Sequence, residues 1–343
     1  MTIIRVPDWR IRRSDGWQRV NTVSIPGYTP DPLPTGAGPF ASTSPWNTAT
    51  PTDTVWYNYA PLGTLTTPEL GARSGSTSRI WYPAETSVGV WHSTNADPLW
   101  TFNMPDYIFV PFNRNRSAST FTFHCPADMV PNTDSDHILC VVNDDTGDYV
   151  EIWQAEVNSG AKTVTNISGQ PGWARGNLIT GPGAGTTGGN NDGVRASNYS
   201  WIGGLITAQD LTEGTINHAL AIALTFYTLE GNGSDFNWIS PATAKDVGGA
   251  AGNILMGSKI GIPHTEIPPV GLSSMGLTLW NCLQTYGAYV GDYAGGPWPI
   301  FYPDLNSISD LTVFNPWFAY WDYGGVCDVD LINPYLRVAN YQP

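Results

Sequence analysis

The residues of this chain best placed for chemistry are Tyr149, Glu151 and Trp153, within the stretch DYVEIWQAEV. A β-strand sends alternate side chains to the same side. A spacing of two therefore sets a carboxylate between two aromatic rings, with Val150 and Ile152 on the opposite face. Three uses fit. Sugars lay their apolar C–H faces on aromatic rings while carboxylates accept hydrogen bonds from hydroxyls, so the trio suits glycan binding. The same carboxyl, stripped of water by the rings, would keep its proton to higher pH and could act as a general acid. Or the rings are core, and Glu151 is neutralised by Arg195 or another base.

Arg195 and His218 are the groups that could join Glu151. Arg195 follows a glycine-rich stretch and carries a planar guanidinium suited to a sugar carboxylate or to Glu151 itself. His218 lies in the apolar run INHALAIAL, where a satisfied core histidine and a base are both open. If all three met in one groove, a glycoside hydrolase or polysaccharide lyase would be conceivable, with Glu151, His218 and Arg195 as catalytic groups. Glycosidases need two carboxyls about 5–9.5 Å apart. Asp145, Asp148 and Asp292 are the candidate partners of Glu151, and Asp148 and Asp292 also join Tyr149, Trp153 and Arg195 as candidate ligand-binding residues.

Other chemistries lack their spacing. His92, His124, His137 and His264 show no H-E-x-x-H pattern, and no G-x-S-x-G elbow occurs. Asp144, Asp145 and Asp148 could hold Ca²⁺ with loop carbonyls, but turn chemistry explains them without a metal. The glycine-rich stretch 181–193 lacks the G-K-[ST] and strand–turn–helix context of a phosphate loop. Cys125, Cys140, Cys282 and Cys327 form no C-x-x-C pair and read as buried reduced thiols. No metal site and no cofactor are expected.

The elements that must position these residues are mostly strands. HILCVV (137–142), the turn cluster NDDTG (143–147) and DYVEIWQAEV form the clearest hairpin. TAQDLTEGT predicts a short helix capped by Thr207, with Asp210 three residues on and Gly214 as its stop. SSMGLTLWNCLQTYGAYV predicts a longer helix with Met275, Leu279, Cys282 and Leu283 on one side. The tail, including WFAYWDYGG and DLINPYLRV, reads as further aromatic strands.

Composition agrees. The 15 Trp, 16 Tyr and 11 Phe accompany 37 Gly and 28 Pro, while charged residues are only 13%. Many short strands joined by turns account for that mixture. The net charge of −14 repels phosphate, which argues against nucleic acid or an anionic membrane surface as partner. No apolar run is long enough to cross a bilayer. Residues 1–24 differ from the rest: five arginines against two aspartates make them +3, leaving −17 elsewhere, and Trp9, Ile11 and Trp17 add apolar anchors. They read either as an arm docking into a neighbouring subunit or as a first strand pair on the chain's own domain. Residues 25–39 are Pro/Gly-rich and read as a linker, and 40–343 as a single β-sandwich domain. The N-terminal residues lack a signal peptide's apolar core although the composition looks extracellular. A virion protein, assembled in the host cytoplasm and freed by lysis, reconciles the two.

Five segments carry a resemblance: SPWN (44–47), DYVEIWQAE (148–156), GVRASNYSWIGGLIT (193–207), EGTINHALAIAL (213–224) and LQTYGAYVGD (283–292). Together they resemble an actinobacterial and actinophage family of minor tail and secreted polysaccharide-associated proteins. The resemblance implies an all-β-dominated, jelly-roll or lectin-like β-sandwich with one or two short helices and long loops. It carries no catalytic assignment. The expected function is a phage minor tail or receptor-binding protein that recognises host cell-envelope polysaccharide. It would be fixed to other tail proteins by its N-terminal arm, and a homotrimer is favoured, as is common for tail fibres. The alternatives are a polysaccharide-cleaving enzyme using Glu151 and a purely structural virion subunit.

Overall fold

Asn143 and Gly147 close the hairpin expected at 143–147. The Asn143 carbonyl accepts the Gly147 N–H at 2.7 Å, and Gly147 takes the left-handed φ of 74° that a glycine adopts without strain. This hairpin is the centre of a computed structural model that describes residues 9–13, 16–20, 39–57, 87–109, 114–133, 135–167, 172–184, 193–224, 237–246, 254–294, 300–308, 313 and 328–339. Most of the 25–39 linker, the middle of the 181–193 stretch, WFAYWDYGG and Cys327 lie outside the described residues.

In chain order the strands begin with β1 (Trp9–Arg13), β2 (Gly16–Val20), β3 (Trp56–Tyr57), β4 (Val90–Ser93), β5 (Leu99–Met104) and β6 (Tyr107–Phe109). There follow β7 (Arg114–Arg116), β8 (Ser119–His124), β9 (Leu139–Asn143), β10 (Asp148–Trp153), β11 (Ala155–Asn158) and β12 (Thr163–Asn166). The last are β13 (Gly172–Asn177), β14 (Leu220–Leu224), β15 (Lys259–Gly261), β16 (Ala288–Tyr293), β17 (Ile300–Phe301) and β18 (Arg337–Ala339). The helices are α1 (Ala208–Glu213), α2 (Ser274–Thr285) and the five-residue α3 (Asp328–Ile332).

The architecture is β-dominated and sandwich-like, as expected, with three sheets sharing two cores. A middle sheet runs β13-β10-β9-β4, an outer sheet β11-β12-β5-β8, and a six-stranded sheet β17-β14-β16-β15-β18-β3. Each contains one parallel pair: β4 with β9, β5 with β12, and β14 with β16. Trp100, Phe102 and Phe123 of the outer sheet pack on Val141, Val150 and Ile152 of the middle one. The other side of the middle sheet, with Cys140, Val142 and Tyr149, packs on Leu220, Ile222 and Val290 of the six-stranded sheet. The middle sheet is therefore covered on both sides, and every residue of β9 is buried.

The chain leaves the middle sheet for the outer one at a single residue. Gln154 adopts a φ of 59°, which ends β10 and turns the rest of DYVEIWQAEV into β11. The capping signal at Thr207 reads out in full: its side chain accepts from Asp210 N, Asp210 answers the Thr207 N–H, and Gly214 closes α1 at φ 67°. Met275, Leu279, Cys282 and Leu283 are buried along α2. The tail corrects one expectation. DLINPYLRV, read as a strand, begins inside α3, continues as a 3₁₀ turn over Asn333–Tyr335 and becomes a strand only at Arg337. Pro334 occupies the start of that turn, where its missing N–H costs nothing, and Asp328 ties α3 to α2 by accepting from Ser273 N at 2.8 Å. At the N-terminus β1 and β2 pair antiparallel, Ile11 opposite Gln18.

Candidate functional site

Glu151 sits mid-strand in β10, opposite Cys140 of β9 and Ala174 of β13. Tyr149, Glu151 and Trp153 do share a face, but it is the interior face turned toward the six-stranded sheet. Glu151 is 0% exposed and Tyr149 1%. The groove expected there is thus a core, for an energetic reason. Burying a large ring removes on the order of 200 Å² from water, about 5 kcal/mol before entropy is counted. Tyr149 packs edge-on against Phe40 at 5.9 Å, and half-buried Trp153 donates Nε1–H to Asp136 Oδ1 at 3.0 Å. A methyl group at Gly176, the residue opposite Tyr149, would collide with the Tyr149 hydroxyl.

The loop 193–204 delivers the groups that meet Glu151. Its Oε1 accepts a short hydrogen bond from Ser200 Oγ–H and a second from Ile202 N–H at 3.2 Å. Oε2 has no hydrogen-bonding partner among the described residues. Burial pushes the Glu151 carboxyl up to about 7, and the hydrogen bonds from the loop and the Arg195 charge offset only part of that. Across the ladder, burial and the Glu151 charge raise the Cys140 thiol well above its usual range, so it is no nucleophile.

Arg195 does not pair with Glu151, as the sequence left open, but with Asp292 of β16. Its Nη1 donates to Asp292 Oδ2 at 3.2 Å, and Ala196 N–H donates to Asp292 Oδ1 at 2.9 Å. Nε and Nη2 donate to the carbonyls of Ser200 and Trp201, each at 3.2 Å. The guanidinium lies 4.0 Å from the Trp201 ring centre and 4.3 Å from that of Tyr302. The side chain is buried and its donors face protein.

Among the other candidates, Asp148 is exposed and serves the turn, accepting from Thr146 Oγ1–H at 3.1 Å and Asn177 Nδ2–H at 2.9 Å. Asp145 accepts Asn95 N–H at 2.7 Å, and Asp144 contacts His92 Nδ1 at 2.8 Å. His218 stands apart from Glu151. Its Nδ1–H donates to the Ala219 carbonyl at 2.9 Å, and Nε2 faces Asp210 Oδ2 at 3.4 Å. Burial lowers its proton affinity, but the Asp210 charge and the hydrogen bonds outweigh this, and the net shift is upward. Asp210 thus serves a helix cap and a buried histidine at once.

The structure brings Glu151, Arg195 and Asp292 into one region and leaves His218 and Asp148 out of it. All five segments quoted for the resemblance converge there. Trp46 of SPWN donates Nε1–H to Gly183 O at 2.8 Å and packs edge-on against Tyr199 and Tyr289. Its own carbonyl accepts Ala219 N–H at 2.7 Å. Ser200, Trp201 and Tyr302 were not singled out by sequence, and Asp210 only as a helix-capping residue, not as the partner of His218. The first two lie in the quoted segment beside Arg195, whereas Tyr302 carries no local signal. Cys125, Cys140 and Cys282 are buried free thiols. Among the described residues no group of three or more His, Cys, Asp or Glu side chains could hold a metal ion, and no helix is long and apolar enough to cross a membrane. Comparison with protein-family models, curated proteins and solved structures found no match to this chain.

Proposed function

We propose that the chain is an extracellular virion component, of the minor-tail or receptor-binding kind, that recognises host-envelope polysaccharide without cleaving it. The observation that carries this reading is where the reactive groups lie. Glu151, Arg195 and His218 are all enclosed and already committed to partners within the protein: Glu151 to the 193–204 loop, Arg195 to Asp292 of β16 and His218 to Asp210 of α1. Groups spent in this way weld a scaffold and leave recognition to outward surfaces. The arginine-rich residues 1–24, the acidic aromatic body and the resemblance to actinophage minor tail proteins support assembly into a particle. On this reading the chain is assembled in the host cytoplasm, docks to other tail proteins through residues 1–24 and forms a homotrimer.

A second reading, a glycoside hydrolase or polysaccharide lyase, is favoured by one observation: a buried carboxyl raised to about 7 is what a general acid requires. It demands a path for sugar to Glu151, which is fully enclosed. The deciding experiment incubates the purified chain with polysaccharide from the host envelope and follows both retention and released oligosaccharide. Retention without release supports recognition. Release that stops in Glu151→Gln supports the enzyme, and neither retention nor release leaves a purely structural subunit.

A further inference from the structure

The outer sheet has one face in the core and one in solvent, and the two differ completely in character. Its inward side carries Trp100, Phe102, Phe123 and Val164. The register sets the outward side as two rows across three strands: Thr163, Thr101 and Thr122 in one, Thr165, Asn103 and Thr120 in the other. Asn103, Thr120 and Thr122 are exposed, while Thr101, Thr163 and Thr165 are half-buried. Strand geometry spaces such side chains about 4.8 Å across the sheet and about 6.7 Å along it.

Within the block no residue is charged. Glu156, opposite Thr165, stands at its border. Some of its polar groups are spent: Thr165 Oγ1–H donates to the Asn103 carbonyl at 2.9 Å, and Thr120 Oγ1–H reaches Asn103 Oδ1 at 3.4 Å. The hydroxyls of Thr101, Thr122 and Thr163 have no intramolecular partner among the described residues. A hydroxyl both donates and accepts, so this row offers a regular line of uncommitted hydrogen-bonding groups.

We propose that this face binds a neutral polysaccharide chain, laid along the rows of hydroxyls. The proposal rests on the recognition reading above and names its surface and ligand class. Charge decides the class. A net charge of −14 repels uronate and phosphate polymers; at the border of the block Glu156 offsets the exposed Lys162 beside Thr163, and the block itself holds no cation to bind them. A neutral glycan presents hydroxyls that donate and accept as these threonines do, and it loses nothing to that field.

The test uses Thr101→Val, Thr122→Val and Thr163→Val combined in the full chain. Valine keeps the β-branched shape and strand preference and removes only the hydroxyl. The probes are immobilised arabinogalactan, a neutral glucan, and a uronate polymer as the anionic counterpart. The expected result is binding to a neutral polymer that weakens about tenfold or more in the triple variant, with an unchanged thermal midpoint. Neutral binding that survives the three substitutions overturns this face while recognition stands. Binding to the uronate polymer alone overturns the ligand class. Failure of the unaltered chain to bind any glycan overturns recognition and this surface together.

Discussion

Arg195 and Asp292 are 97 residues apart in sequence and meet at 3.2 Å, closing a bridge between the loop before α1 and strand β16. Gly291, next to Asp292, makes the approach feasible, because a side chain there would press on Arg195 and Tyr199. The pair turns two residues suited to sugar binding into a joint within the scaffold.

Removing one member should be costly. Arg195→Leu removes the Nη1 donor from Asp292 and empties the slot between Trp201 and Tyr302. Losing one side of such a pair costs about 3–5 kcal/mol. Urea unfolding should report a loss of that order; a change of a few tenths would show that the pair contributes little.

Stability should fall as pH rises from acid toward neutral. The Glu151 carboxyl is raised from an ordinary value of 4.5 to about 7, chiefly by burial. A group whose folded pKa lies above its unfolded one stabilises fully below the unfolded value and loses that contribution through the folded one. For Glu151 the window is about pH 4.5 to 7, worth on the order of 3 kcal/mol. Asp304 and Asp328 are also raised by burial, and His218 by Asp210, so all act in the same direction. Unfolding at pH 5 and pH 8 should favour pH 5, and Glu151→Gln should flatten the difference. An unchanged slope in that variant would remove Glu151 from the account.

Residues 1–24 should be dispensable for folding and required for assembly. Among them β1 and β2 pair with each other, an arrangement that fits a docking arm and a first strand pair on the chain's own domain alike, and deletion separates the two. A chain lacking 1–24 should keep the thermal midpoint of the body and be absent from purified particles. Normal incorporation would count against the arm.

Much of this fold was readable locally. The hairpin at 143–147, the two faces of β10, the capping box at Thr207 and the buried side of α2 all depend on residues within a few positions of each other. What alternation in β10 could not reveal is what covers each face. Tyr149, Glu151 and Trp153 look alike whether they line a groove or a core, and only Ser200, 49 residues away, and the loop carrying it decide the matter. The partner of Arg195 was hidden for the same reason. The helical start of DLINPYLRV was missed because its aromatic and apolar content suits a strand, whereas the contacts that hold Asp328 come from Ser273.

The most direct test of recognition without cleavage is oligosaccharide release from host-envelope polysaccharide by the purified chain, followed over a wide pH range that includes 7. Polysaccharide retained on the protein with no product above the protein-free control is the expected result, with the same outcome for Glu151→Gln. Steady release by the unaltered chain, abolished in Glu151→Gln while retention persists, would contradict it and make Glu151 a catalytic acid.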